Sequence, residues 1–373
     1  MLFIELQTDK FKRMAACYDY MAYPWHLLVV LFGVCDSAPP DSLRLVWLAN
    51  TTFSCNDGSP AGYYFRRGIN NDHWVVYLEG GGYCWDTVSC KARWRRRPSL
   101  MSSTRWPRAR RAPALLSADP SANPLWHDSN HVLLPYCSSD MWAGTRSSPH
   151  LGTGFHFAGR LIVRAVLSDL VHYGLKGRML LVGSSAGGAG VMLHADAARR
   201  ALRSHDVRVA AIADSAQLAA EGVRAPRTRS QWDAVHQTGA ALRVSLASVR
   251  AAFAPACLAH GALARPEWLA INVSGITLPR AIACWEQRIG SGRRKTQAGC
   301  APRKLIERCT WPQCNGSCPR LRDPRTGEEV ALAVLLQSFG LDVRGAAAAM
   351  GLDARQLSRM SRAELLPLLA PHL

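Results

Sequence analysis

The sequence predicts an α/β protein: an α/β-hydrolase-like, mainly parallel sheet flanked by helices, with a disulfide-rich C-terminal part. Three observations carry this reading. Short apolar runs alternate with helical periodicities between residues 74 and 214, and such alternation implies parallel strands joined by right-handed crossovers. One run, Met179-Leu180-Leu181-Val182, passes through Gly183-Ser184-Ser185-Ala186-Gly187 into a segment with Val191, Ala195, Ala198 and Leu202 on one helical face. Strand, Gly-x-Ser-x-Gly and helix in that order is the pattern of a nucleophile elbow. Finally, six of the 12 cysteines crowd between Cys257 and Cys318, where long periodic segments are scarce.

At 373 residues and 48% hydrophobic content the chain can bury a large core. Its formal charge of +18 favours polyanionic partners. The compartment decides which. Residues 25–35 form a short apolar run that ends in Asp36-Ser37-Ala38-Pro39-Pro40. This reads as a secretory signal region over 1–38, with Met21 as a possible start, and is too short for a membrane span. Beyond it ten cysteines remain, an even number suited to full pairing in a secreted chain. They show neither paired C-x-x-C spacing nor a zinc-type His arrangement, so no metal is expected. Asn50, Asn272 and Asn315 open N-glycosylation sequons. An extracellular basic protein meets sulfated glycans rather than nucleic acid.

In chain order, residues 63–65 and 74–78 read as strands. The second runs into Glu79-Gly80-Gly81-Gly82-Tyr83-Cys84. Glycines leaving a strand allow close backbone approach and turn N–H groups outward, as in the early oxyanion loop of hydrolases of this architecture. A basic stretch follows, read as a surface loop, with Lys91, Arg93, Arg95, Arg96, Arg97, Arg105, Arg108, Arg110 and Arg111, and with Trp94 and Trp106 interleaved. Arginine suits sulfate through its planar fork of donors. Residues 131–134 are a strand, 157–170 an amphipathic helix, and 207–213 a strand ending at Asp214. Residues 231–253 carry helical spacing and lead to Ala254-Pro255-Ala256-Cys257 and His260. From 261 on the chain reads as a stapled cover on the same domain, which spans 45–345, with a tail at 346–373.

Acyl transfer needs a nucleophile, a base and a group to hold the imidazole. Ser185 is the nucleophile. His260, in a loop after the helical stretch, suits the base, with His236 as rival. Asp214 is favoured as the acid because it ends a strand, where such sheets place their sites. Asp196, Asp206, Glu221 and Asp233 remain as alternatives.

The chain also resembles a known family. The matching stretches are Cys55-Asn56-Asp57-Gly58-Ser59-Pro60-Ala61-Gly62-Tyr63-Tyr64, Leu78-Glu79-Gly80-Gly81 with Tyr83-Cys84, Pro135-Tyr136-Cys137-Ser138-Ser139-Asp140, Gly183-Ser184-Ser185-Ala186-Gly187-Gly188, and residues 253–260. They are similar to the pectin acetylesterase superfamily and, within it, to the animal Notum-like carboxylesterases. The resemblance implies a secreted serine esterase, without cofactor, that removes palmitoleate from Wnt proteins, restrains Wnt signalling and binds heparan sulfate of glypicans. It also implies oxyanion donors at Gly81, Gly82 and Ala186, an acyl pocket lined by Tyr83 and Ala189, and a glycan site at Arg93, Arg95, Arg96, Arg97, Arg105, Arg108, Arg110 and Arg111. Two departures stand out. Gly82 replaces an expected tryptophan, which removes one pocket wall and suggests a polysaccharide O-acetylesterase as an alternative. A long segment expected between the strand after the elbow helix and the strand bearing the acid is absent, so that Asp214-Ser215 joins two strands into one. An inactive glycan-binding homologue is the second alternative.

Overall fold

Residues 74–78 and 179–182 are apolar without alternation, and such strands are stable only when covered on both faces. The computed structural model, which describes residues 41–49, 53–215, 251–255, 257, 259–290, 302–307, 315–320, 353 and 356, shows that arrangement. All but a few isolated stretches of the described chain gather around one seven-stranded sheet. Its strands are β1 (Ser42–Trp47), β2 (Gly62–Arg66), β3 (Asn70–Leu78), β4 (Ala109–Arg111), β5 (Ser129–Leu134), β6 (Gly177–Ser184) and β7 (Val207–Asp214), in the order β4-β1-β2-β5-β3-β6-β7. The half that carries the elbow, β5-β3-β6-β7, is parallel throughout. The other half continues antiparallel.

The period of two along each strand divides the core. Trp74, Val76 and Leu78 of β3, with Met179 and Leu181 of β6, face one side. There they meet Ile162, Val163, Val166 and Leu170 of α2 (Gly159–His172) and Val191, Ala198 and Leu202 of α3 (Ala186–Leu202). Val75, Tyr77, Leu180 and Val182 face the other side, against Leu263, Trp268 and Ile282. Ile282 belongs to α4 (Leu278–Gly290). That helix is also fastened by a buried polar cluster: Glu286 accepts from Trp126 Nε1 at 3.1 Å and meets His73 Nε2, while His73 Nδ1 faces Ser129 Oγ at 2.7 Å. Paired and hydrogen-bonded, this carboxylate can be buried without a prohibitive desolvation cost.

Several expectations change. The basic stretch is not simply a loop: it begins as α1 (Thr87–Arg96), started by an Asp86–Ser89 capping box and tied back by the Cys84–Cys90 disulfide. Its charge masks it, because helical state here comes from the cap and the staple rather than from an apolar face. Residues 252–254, expected at the end of a helix, are a short strand, β8 (Ala252–Ala254), paired in parallel with Lys304–Ile306. The part after 261 contains α4, longer than the sequence suggested. The signal region, Asn50, His236, Glu221, Asp233, most of the 231–253 segment and nearly all of the tail lie outside the described residues. Cys55–Cys137 and Cys257–Cys318 are disulfides, and Cys284 is disulfide-bonded as well.

Candidate active site

Ser185 sits at the junction of β6 and α3 with φ 59° and ψ −124°. That conformation is strained for any residue with a side chain, and it persists because the surroundings over-determine it. The Ser185 N–H donates to the Asp214 carbonyl at 3.0 Å, and its carbonyl accepts from Ala189 N at 3.1 Å. Only glycine fits at 187, where a Cβ would fall 2.0 Å from the Leu78 carbonyl oxygen. The elbow is thereby pressed onto the end of β3, and the serine side chain is left half-buried.

The glycine loop after β3 arrives at the same point. A Cβ at Gly80 would lie 2.7 Å from Ser185 Cβ and 3.3 Å from Ala186 N. The N–H groups of Gly80, Gly81 and Gly82 make no hydrogen bond within the described structure. Ala186 opens α3, so its N–H belongs to the unpaired first turn. Gly80 of the glycine loop and Ala186 of the elbow, each with an N–H that makes no hydrogen bond among the described residues, therefore lie side by side next to Ser185, and unpaired donors so placed suit a developing oxyanion.

Asp214 ends β7 and is the register partner of Ser184. Its carboxylate accepts from Ser184 Oγ at 2.7 Å, from Ser215 Oγ at 2.8 Å and from the Leu263 N–H at 3.1 Å. Ser215 Oγ in turn accepts from the Gly261 N–H at 3.1 Å. The loop carrying His260 is thus tied to the ends of β6 and β7, and Cys257–Cys318 holds its start. The His260 ring is exposed, and among the described residues it hydrogen-bonds neither Ser185 nor Asp214. The three residues occupy one end of the sheet without a closed hydrogen-bonded triad. Tyr77, whose hydroxyl lies 2.6 Å from Ser184 Oγ, extends the Asp214 network inward, and burial pushes its pKa up.

The remaining expected residues divide. Tyr83 is half-buried with its ring 5.6 Å from that of Trp85, and Ala189 is half-buried in the first turn of α3. A cavity of about 480 Å³ lined by Leu125, Leu269, Pro279 and Ala283 lies elsewhere, at the start of α4. Arg95, Arg96, Arg97, Arg105, Arg108 and Arg111 are exposed. Arg110 is not a free cation: it holds both Glu79 oxygens, at 2.6 and 3.1 Å, and lies over the Tyr64 ring. Burial works against its charge, and the Glu79 carboxylate more than offsets that, raising its pKa. Arg93 is also turned inward, onto the Gly81 carbonyl at 2.7 Å. Trp94 and Trp106 are half-buried, with their rings against Phe155 and Trp47. Asn272 is half-exposed, whereas Asn315 is buried with Nδ2 donating to Asn272 O and Glu307 Oε2, both at 2.7 Å, so the folded chain does not present it as a glycan acceptor.

Sequence reasoning missed Ser184, Ser215 and Tyr77. The only signal for Ser184 was its place beside Ser185 at a strand end. The other two had none without the strand register. Among the described residues no group of three His, Cys, Asp or Glu side chains could hold a metal, and no helix is long and apolar enough to cross a membrane.

The Pectinacetylesterase family profile matches residues 38–220. The human palmitoleoyl-protein carboxylesterase NOTUM is 33% identical over 429 residues, covering 92% of this chain and 86% of that protein. The mouse protein of the same name is 32% identical over 430 residues, covering 92% and 85%. The crystal structure of the Wnt deacylase Notum from Drosophila superimposes with a TM-score of 0.66 at 36% identity, over 74% of this chain and 99% of that one. The 429 positions aligned with the human protein hold 92% of the 373 residues here, or about 343. About 86 positions of the human protein therefore face gaps in this chain.

Proposed function

The chain belongs to the Notum family of carboxylesterases, and from that membership we propose that it is a secreted serine hydrolase that removes palmitoleate from Wnt proteins and so restrains Wnt signalling. The observation that carries this reading is the close approach of Gly80, the first residue of the glycine loop, to Ser185 and Ala186 at the mouth of the elbow. Ser185 Oγ attacks the acyl carbonyl. His260, on the loop seated over the same strand ends, takes the hydroxyl proton and returns it to the leaving alcohol, then takes a proton from the water that cleaves the acyl–Ser185 bond, releasing the fatty acid and restoring the hydroxyl. The N–H groups of Gly81, Gly82 and Ala186 hold the oxyanion. Asp214 completes the constellation by fastening the loop that bears the imidazole. Tyr83 and Ala189 border the acyl chain, and with glycine at 82 that border is open on one side. The exposed arginines 95, 96, 97, 105, 108 and 111 bind heparan sulfate of a glypican. No cofactor enters the chemistry.

A fluorophosphonate probe tests this. It should label wild-type protein at Ser185, and Ser185→Ala should abolish both labelling and hydrolysis of a p-nitrophenyl acyl ester. An alanine variant that still hydrolyses the ester overturns the assignment of the nucleophile. A specific observation supports a second reading: the His260 ring has no hydrogen bond to Ser185 or Asp214, and many family positions are missing. If wild-type protein binds heparin yet neither labels nor turns over ester, the chain is a glycan-binding homologue without esterase activity.

A further inference from the structure

We propose that Arg93 is a positioning residue for the oxyanion loop, gripping the carbonyl side of the Gly81–Gly82 peptide so that the N–H on its opposite side is presented to the oxyanion. The proposal rests on the reading of Ser185 as nucleophile and of the Gly82 N–H as an oxyanion donor. It starts from the geometry of the peptide unit. The unit is planar and trans, so its C=O and N–H point in opposite directions. The carbonyl of Gly81 and the N–H of Gly82 belong to the same unit. Arg93 Nη1 donates to that carbonyl at 2.7 Å. Whatever fixes the carbonyl fixes the direction of the Gly82 N–H.

The loop needs such a restraint. Gly80-Gly81-Gly82 has no side chains to hold it, and glycine is the residue with most conformational freedom to lose. Gly82 lies at φ 72°. Arg93, by contrast, is held from several sides. Its Nε donates to Ser139 Oγ at 2.8 Å, and its guanidinium lies 5.8 Å from the centre of the buried Tyr136 ring. The helix that carries it is stapled at Cys84–Cys90, one turn before it. Ser139 and Tyr136 come from a loop anchored by Cys55–Cys137 and by the half-buried Asp140 carboxylate, which accepts from Ser138 Oγ and from the N–H groups of Trp142, Gly144 and Gly159. The Pro135–Asp140 motif thus gains a purpose: it builds the far wall against which Arg93 is braced.

The charge of Arg93 points the same way. Among the described residues it has no carboxylate partner, and its Nη2 is buried without a hydrogen bond. A desolvated cation without a counter-charge is unfavourable in the resting protein. It becomes favourable when negative charge develops on the far side of the peptide it holds. A cation on a carbonyl also polarises the amide and makes its N–H a stronger donor.

The test compares wild type, Arg93→Met and Arg93→Lys, with rates expressed per site titrated by fluorophosphonate. Arg93→Met should lower kcat for a p-nitrophenyl ester by about 100-fold with KM within about twofold, the pattern of an interaction made in the transition state. Its affinity for an alkyl boronic acid, which forms a tetrahedral adduct on serine, should fall in parallel, while inhibition by the free fatty acid stays unchanged. Arg93→Lys, which keeps a donor and the charge, should recover at least about tenfold of the lost rate. A purely structural role would lower the titrated fraction and leave kcat per site and boronate affinity intact, and that result overturns the proposal. If Arg93→Met does not fold, the lysine variant must show the same split in smaller measure; wild-type values in that variant also overturn it. A wild-type protein that is neither labelled nor active removes the esterase reading and this proposal with it, whereas an active wild type with an equally active Arg93→Met removes this proposal alone.

Discussion

The Asp214 carboxylate accepts a hydrogen bond from the Ser184 hydroxyl at 2.7 Å, and the two residues are register partners on adjacent parallel strands. The carboxylate is therefore bound to the residue before the proposed nucleophile and to the backbone of the loop that carries His260, not to the imidazole itself. A carboxylate that orients and charges the ring directly is worth about 10⁴ in kcat in a serine triad. One that acts through the loop is worth less. Asp214→Asn is expected to lower kcat by about 10- to 100-fold. Asp214→Ala should in addition cost about 2 kcal/mol of stability by leaving the Ser184 and Ser215 hydroxyls and the Leu263 N–H without their acceptor. Ester kinetics with a chemical denaturation curve on each variant separates the two effects. A 10⁴-fold loss in the asparagine variant would place the carboxylate on the ring during turnover.

Gly80→Ala asks whether the two loops must touch. The added methyl would lie 2.3 Å from the Ser184 carbonyl oxygen and 2.7 Å from Ser185 Cβ. Both neighbours are backbone or backbone-fixed, so neither can rotate away. The loop must retreat, which carries the Gly81 and Gly82 donors off the oxyanion position. The expected result is a loss in kcat of about 100-fold or more with a stability cost of about 1–3 kcal/mol. Comparison of kcat with thermal midpoint checks it, and near wild-type turnover would show that this loop is not part of the oxyanion site.

Much of this site could be read from residues alone, and the limits have physical causes. The elbow was legible because a turn so tight admits only small residues, so its sequence is written by sterics. Strands β3, β5 and β6 were legible because each holds an unbroken apolar run where the sheet is covered on both faces, and β7, the outer strand on that side, because Val207, Val209 and Ala210 keep it largely apolar. Strand β1 and the edge strand β4 beside it were not: Ala109-Arg110-Arg111 is extended because it pairs with Ser42–Arg44, and nothing in its own propensity says so. Helix α1 was hidden by its charge, and α4 by the density of cysteines around it. The two arginines that turn inward, Arg93 and Arg110, look in sequence like their solvated neighbours. Their partners, Gly81 and Glu79, are brought to them only by the fold.

Acid should weaken the protein through His131. This ring is fully buried and lies between Arg66 Nη2 at Nδ1 and the Trp126 carbonyl, 2.7 Å from Nε2. Arginine can only donate, so Nδ1 accepts and Nε2 carries the proton. Burial first, and then the Arg66 charge, push its pKa from 6.5 to about 3. Below pH 6.5 the unfolded chain takes up a proton that the folded chain refuses, so stability falls as pH drops from there toward 3. Between pH 6.5 and 5 the loss is about 2 kcal/mol. Thermal midpoints across that range should fall in wild type and fall less in His131→Gln. An equal decline in both would assign the acid sensitivity to other groups.

The exposed arginines give the last prediction, and the two that turn inward sharpen it. If a sulfated glycan is held by Arg95, Arg96, Arg97, Arg105, Arg108 and Arg111, retention on heparin is electrostatic and its strength falls with salt. Arg95, Arg96 and Arg97 follow one another at the end of α1. Replacing all three by alanine should move elution to clearly lower salt and leave ester hydrolysis within about twofold, since the three side chains point to solvent. Arg110→Ala removes one charge as well, but that charge is committed to Glu79 and to the Tyr64 ring. It should shift elution less than Arg96→Ala does and instead cost stability, by about 1 kcal/mol after allowance for solvent screening of a partly exposed pair. Gradient elution from heparin, run beside denaturation curves, checks both halves. Equal shifts for Arg96→Ala and Arg110→Ala would mean that the column reads net charge alone and that no defined glycan site exists on this face.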